Sequence, residues 1–196
     1  MPKVSQEHRD ARRAQILGAA RRCFLRNGFH ETSMQDLFAE AGLSSGAVYL
    51  YFASKEDVIL AIAEENMRDV VAVIHELVTS RLQDGLGAAL AEVLDVVQTK
   101  HTNDQLGGIA VLVWSEALRN PTVAKRLDES LQEMRTDLAD VVRAHQTHGS
   151  TARDASPEAL AALSMSIISG YLLQLTLFTP RVVATVPGAV RALWPT

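Results

Sequence analysis

The chain has 196 residues, 47% of them apolar and 21% charged, with a mean hydropathy of +0.05 and a formal net charge of −4. This composition supports a buried globular core and lies far from that of disordered chains, and at roughly 100–200 residues per domain it allows one domain or a small module joined to a larger one. Cys23 is the single cysteine, which excludes an intramolecular disulfide and a cysteine-built zinc finger and fits a reducing cytoplasm, while the polar start MPKVSQEHRDARRAQ lacks the roughly 7–15-residue apolar core of a secretory signal.

Glycine and proline are sparse, helix formers dominate, and no apolar/polar alternation bounded by turn residues marks a strand, so an all-α fold is expected. A first helix is predicted over Gln6–Asn27, with Ile16, Ala20, Cys23 and Phe24 on one side and Gly28 at its end. Cys23 lies on that stripe and reads as a small buried hydrophobe, since no second cysteine exists to resolve an oxidised one. Thr32-Ser33-Met34-Gln35 fits a capping box and opens a helix that Gly42 stops after Ala41. Ser44 or Ser45 then caps a helix to about Phe52, and Ser54-Lys55-Glu56-Asp57 caps a long one to about Ser80. Two short helices joined by a tight glycine-containing turn make a helix-turn-helix. Further helices are expected over residues 86–100, 106–120, 121–145, 157–178 and 182–193, with a loop over 147–156.

Between Glu158 and Arg181 run 22 uncharged residues, ALAALSMSIISGYLLQLTLFTP, long enough to cross a bilayer as a helix. Ser156-Pro157-Glu158 before them is nevertheless a soluble-type helix start, and Ser164, Ser166, Ser169, Gly170, Gln174 and Thr176 interrupt the apolar run. A helix apolar on most sides fits one face packed in its own subunit and another against a partner, so no membrane is expected.

Charge is divided unevenly. Residues 1–55 carry eight Lys/Arg and five acids, a net of +3, which leaves −7 for the remainder. Because attraction to phosphate is screened beyond about 8–10 Å, a local basic surface suffices for nucleic-acid binding. Arg12 and Arg13, near the start of the first helix, are the phosphate candidates; Arg21, Arg22 and Arg26 read as solvating its far end.

The helix-turn-helix has physical reasons at each part. Gly42 permits the sharp turn, Leu43 and Val48 can plug the angle between the helices, and the Ser44 hydroxyl can cap the second. With Ser44, the residues Ser45, Gly46 and Ala47 form a small, DNA-facing helix start, Ala47 being able to meet a thymine methyl, and Gln35 can pair bidentately with adenine. Residues 13–59, RAQILGAARRCFLRNGFHETSMQDLFAEAGLSSGAVYLYFASKEDVI, resemble the DNA-binding domain of the TetR family of bacterial transcriptional regulators. The likeness rests on many parts in order: the I-L-x-A-A stripe, Gly28-Phe29, Thr32-Ser33, Ala41-Gly42-Leu43-Ser44, Gly46, Tyr49, Tyr51-Phe52 and Ser54-Lys55-Glu56. By that resemblance Tyr49, Tyr51, Lys55 and Ser33 map onto positions that clamp phosphates. Phe38 departs from the family's usual alanine, and its ring must widen the helix crossing or point elsewhere.

The resemblance divides the chain into a helix-turn-helix domain, residues 1–54, and a helical ligand-binding and dimerisation domain, residues 55–196. It implies a homodimer through the C-terminal helices and a pocket for a small-molecule inducer, for which Met67, Val71, His75, Leu112, Trp114, Met134, Met165 and Tyr171 are the candidates. A two-fold dimer sets two reading helices about 34–36 Å apart and so calls for palindromic double-stranded operator DNA. His145 and His148 form an H-x-x-H pair without a third ligand and read as a solvated helix end rather than a metal site. No catalytic or nucleotide-binding fingerprint is present. The expectation is therefore a cytoplasmic, dimeric, non-enzymatic DNA-binding repressor without cofactor or metal, released by a small, largely apolar ligand. The alternative is a DNA-binding architectural or protein-recruiting module without an inducer.

Overall fold

A computed structural model of the chain describes residues 6–80, 84–148 and 154–194, the side chains of residues 69, 73–75, 77–80 and 180 excepted. The described residues form helices and no strand: α1 (Gln6–Asn27), α2 (Met34–Ala41), α3 (Ser45–Tyr49), α4 (Lys55–Ser80), α5 (Gly85–Asp104), α6 (Leu106–Ala117), α7 (Pro121–His148), α8 (Pro157–Leu177), α9 (Pro180–Val183) and α10 (Val186–Leu193). They group into two compact units. One takes the chain up to Glu65 together with Gly108–Arg126, the other Asn66–Gly107 together with the chain from Leu127 onward. The first unit thus extends past residue 54 and includes a returning segment that local sequence pattern does not mark.

In the first unit, α1 buries Ile16, Leu17, Ala19, Ala20, Cys23 and Phe24, and Phe29, Leu37, Val48, Phe52, Val58 and Ile59 are buried in the same unit. Burial raises the Cys23 thiol pKa above its ordinary value and keeps it protonated. Gly28, at φ +83°, ends α1 with its N–H donating to Phe24 O. The capping box sits one residue later than the sequence pattern suggests. Ser33 is the N-cap of α2 and Asp36 closes the box, accepting from the Ser33 N–H at 2.8 Å. Thr32 is turned inward instead, its hydroxyl donating to Gly28 O at 2.7 Å. Gln35 is thereby left exposed rather than folded back as a cap.

The helix α3 is shorter than expected, ending at Tyr49 rather than near Phe52, because the N–H groups of Tyr51 and Phe52 both turn back onto Val48 O. Salt bridges tie α1 outward: Arg22 and Arg26 both reach Glu40 of α2, and Arg21 reaches Glu65 of α4. The carboxylate of Glu40 is held below its usual pKa by hydrogen bonds from Arg22 and Arg26. The returning segment packs on the same unit: a Cβ at Gly108 would lie 2.7 Å from Leu25, so α6 starts directly against α1.

In the second unit, α5 is buried along Leu86, Leu90, Val93, Leu94 and Val97 and packs on α8 and α10. Close approach is enforced at Gly87, where a Cβ would come within 2.8 Å of Trp194. Ser156 caps α8 as expected, its hydroxyl accepting from the Ala159 N–H. The single helix expected over 182–193 is two, because Pro187 has no N–H to continue a helix from α9 and serves instead in the first turn of α10. The helix α7 runs on to His148 and so takes in the start of the expected loop, whose residues 149–153 lie outside the described residues. His145 is fully buried while His148 is exposed, so the pair is not a solvated helix end.

By length and composition alone α8 is long and apolar enough to cross a membrane. It packs as a one-sided helix, however. Ala161, Ser164, Ile168, Tyr171, Leu172 and Leu175 face inward, with the Tyr171 hydroxyl donating to Gln98 Oε1 of α5 at 2.7 Å, whereas Leu163, Leu173, Leu177 and Phe178 are exposed.

Candidate nucleic-acid interface

The surface built by α2 and α3 follows from a few local constraints. Gly42 adopts a left-handed conformation, φ +65°, that ends α2, and the Leu43 N–H donates to Phe38 O to close the turn. Ser44 then caps α3, its hydroxyl accepting from the Ala47 N–H at 3.3 Å, and Val48 is fully buried in the angle between the helices. With Val48 inward, the opposite side of this five-residue helix faces water: Ser44, Ser45 and Gly46 are exposed, Ala47 and Tyr51 half-buried, and Tyr49 is 51% exposed. Nothing lies within 4 Å of where a Cβ at Gly46 would stand, so no internal packing demands a glycine there.

Phe38 does not wedge the crossing open. Its ring meets Tyr49 edge-on, centroids 5.4 Å apart, and braces the ring whose hydroxyl is a phosphate candidate. Ser33 is exposed, but its hydroxyl both accepts from the Asp36 N–H and donates to Asp36 Oδ2. Donation to the Asp36 carboxylate by the Ser33 hydroxyl, and then by the Ser33 N–H, holds it below its ordinary pKa.

The basic candidates are each held by a neighbouring group. Arg12 donates to Gln15 Oε1 at 2.8 Å, and Gln15 Nε2 donates to Ala41 O at 2.8 Å, which fixes Arg12 to the carbonyl end of α2. The i, i+3 spacing of Arg12 and Gln15 on α1 is the signal from which this relay could have been found. Arg13 lies 5.6 Å above the Phe52 ring. Lys55, at the first turn of α4, is turned toward the α1–α2 loop, its ammonium donating to Phe29 O, Thr32 O and His30 O at 2.7, 2.8 and 3.3 Å.

The candidate ligand residues fall in both units. Leu112 and Trp114 belong to the first unit; Met67, Val71, Met134, Met165 and Tyr171 belong to the second, where Met134 and Tyr171 are buried and the others half-buried. The side chain of His75 lies outside the described residues. An apolar cleft in the second unit is lined by Leu86, Ala89, Leu90 and Val93 of α5, Leu138, Val141 and Val142 of α7, and Ser164 of α8. None of the eight candidates is among them. The cleft encloses about 10 Å³, room for about one water. Its walls are aliphatic, which in sequence cannot be told from ordinary core.

Two family profiles match the chain. Residues 16–62 match bacterial regulatory proteins of the tetR family, and residues 86–193 match the C-terminal part of BetI-type transcriptional repressors. The HTH-type transcriptional regulator YfiR of Bacillus subtilis is 34% identical over 65% of this chain and 63% of its own length. The HTH-type transcriptional regulator UidR of Escherichia coli is 28% identical over 82% of this chain and 79% of its own. The structure of GusR of Salmonella enterica superposes with a TM-score of 0.79 at 26% identity, over 98% of both chains.

Proposed function

The chain belongs to the TetR family of bacterial regulatory proteins and is a DNA-binding transcriptional regulator, and we propose that it is a cytoplasmic repressor that binds a palindromic operator as a homodimer and is released by a small, largely apolar ligand. The carrying observation is the surface of α3. Ser44, Ser45 and Gly46 stand exposed on a helix whose back is pinned by Val48, and the space outside Gly46 is open. Such a surface admits the close approach that major-groove entry requires. In this reading Ser45, Gly46 and Ala47 meet base edges and Gln35 pairs with adenine. Ser44, Tyr49, Tyr51, Ser33, Arg12 and Arg13 hold the phosphate walls.

The exposed leucines of α8 supply the dimer surface. The aliphatic cleft between α5, α7 and α8 supplies the ligand reading: none of its eight lining residues is charged, so its lining suits an apolar molecule, and its small volume means that entry must part the helices. A ligand that binds the parted state better by about 1–3 kcal/mol shifts the dimer away from DNA.

Operator variants test the reading. In a fluorescence-anisotropy ranking of single-base variants of a bound palindrome, Gln35→Ala and Ser45→Ala each relax discrimination at one position per half-site, by about 1–3 kcal/mol for a lost bidentate contact and less for the serine. An unchanged ranking in both variants rejects the assignment of these residues to base readout.

A further inference from the structure

Val48 of α3 is fully buried in the angle between α2 and α3. An α-helix advances about 100° per residue, so the residues two before and two after Val48 point to the opposite side, and being four apart they share one face. Those residues are Gly46 and Leu50. Leu50 is the C-cap of α3 but keeps helical backbone angles, φ −66° and ψ −21°, so the placement holds for it. Nothing stands within 4 Å of where a Cβ at Gly46 would lie, and Leu50 is 84% exposed. A single exposed leucine is ordinary on a protein surface; the face it occupies is what gives Leu50 meaning. The strip of α3 turned furthest from the core carries no hydrogen-bonding side chain, since Ser45, Ala47 and Tyr49 stand to either side of it. Such a strip can distinguish bases only through apolar contact.

We infer that Leu50 is a specificity-determining residue for operator binding: its methyl groups pack on the C5 methyl of one thymine in each half-site. The inference rests on the DNA-binding surface proposed above and adds to it a base chosen without a hydrogen bond. In the major groove the thymine methyl is the apolar feature, and the other edge groups are donors or acceptors. An aliphatic chain laid over the N4 amino group of cytosine, or over the polar edge of a purine, strips water from groups to which it offers no partner, and so penalises those bases. Gly46 brings the contact within reach. With no side chain one turn earlier on the same face, the backbone of α3 can sit close to the base edges, and Leu50 meets the floor of the groove rather than its rim. Ala47 stands half-buried on the flank and makes its own contact, so loss of Leu50 removes one thymine preference and leaves any other in place.

The test compares full-length wild type, Leu50→Ala and Leu50→Ser on a palindromic duplex recovered from a random library by the wild type. Each thymine of the half-site is replaced in turn by deoxyuridine, in both half-sites at once, which removes the C5 methyl and leaves every hydrogen-bonding group in place. One such replacement is expected to weaken wild-type binding about tenfold, the worth of two methyl groups withdrawn from contact, and to leave both Leu50 variants unaffected. Replacement of any other thymine acts equally on the three proteins. Both variants should melt as the wild type does, because so exposed a side chain adds little to the core. Their slope of log K against log salt should also match the wild type, because no phosphate contact is lost. The same deoxyuridine profile in wild type and both variants overturns the inference, as does a profile in which no thymine methyl matters. So does a Leu50→Ala protein that binds every sequence more weakly by one factor, the mark of a contact to the sugar-phosphate chain. Should the wild type recover no duplex, the DNA-binding surface fails and this inference with it. A duplex whose base ranking responds to Gln35→Ala and Ser45→Ala, but not to either change at Leu50, overturns the inference alone.

Discussion

A methyl group has no room at Gly107. Its Cβ would collide with Thr176 Oγ1 and stand 3.1 Å from Leu172 O, and the Thr176 hydroxyl is itself held by a hydrogen bond to that carbonyl. Gly107→Ala should therefore destabilise by about 1–3 kcal/mol, the range for overpacking, seen as a lower urea midpoint with an unchanged m-value. Gly42 is different in kind. No atom crowds it, but φ +65° is a conformation that costs a side chain about 1 kcal/mol. Gly42→Ala should lower stability by about that much and weaken operator binding further, because the turn sets the angle of α3; binding equal to wild type contradicts the turn's role in aiming the helix. Only one of these two glycines could be picked out from the sequence. Gly42 follows an amphipathic helix and precedes a serine cap, which is a local pattern, whereas the crowding at Gly107 comes from α8, some 70 residues on, and leaves no local trace.

At the scale of elements, the passage from α5 to α6 carries a titratable contact. Gln105 takes the left-handed conformation between the helices, and the Gly107 N–H donates to His101 Nδ1 at 3.2 Å, which requires an unprotonated Nδ1. Burial lowers the His101 pKa below its ordinary 6.5. The folded chain therefore takes up this proton at a lower pH than the unfolded chain, so the contribution is complete above about pH 6.5 and declines as the pH falls below it. Thermal melts from pH 8 to 5 should show a falling Tm on the acid side, with a shallower fall in His101→Gln; parallel curves for the two proteins contradict the assignment.

Element boundaries were legible wherever a cap or a breaker acts locally, as at Gln6–Asn27, at Gly42 and at Ser156. They were misread where tertiary contacts choose between adjacent residues. Thr32 and Ser33 are both capable caps, and only the buried slot under Gly28 decides that Thr32 turns inward. The carbonyl partners of Lys55 are equally invisible in sequence.

At the scale of the molecule, the proposed dimer is assigned to the exposed side of α8. Leu173 and Leu177, 39% and 64% exposed and four residues apart on one face, lie in the C-terminal part of that helix. Leu173→Glu/Leu177→Glu should leave the helical circular-dichroism signal near wild type, convert the dimer to a monomer in sedimentation, and reduce operator affinity by at least a hundredfold at equal chain concentration. A dimer that survives both charges places the interface elsewhere. The all-α class, the helix-turn-helix and the uncharged helix were all readable from periodicity and punctuation. The grouping of α6 with the first unit was not, because it depends on which helix returns to which core.

The central claim is that paired copies of α3, Ser45–Tyr49, read DNA with two-fold symmetry. Selection of bound duplexes from a random library by the purified wild-type chain tests it most directly. Enrichment of an inverted repeat, its half-sites one helical turn or a multiple apart and the bound complex containing an even number of chains, is the predicted result. Enrichment of no sequence, or of an asymmetric site occupied by a single chain, contradicts it.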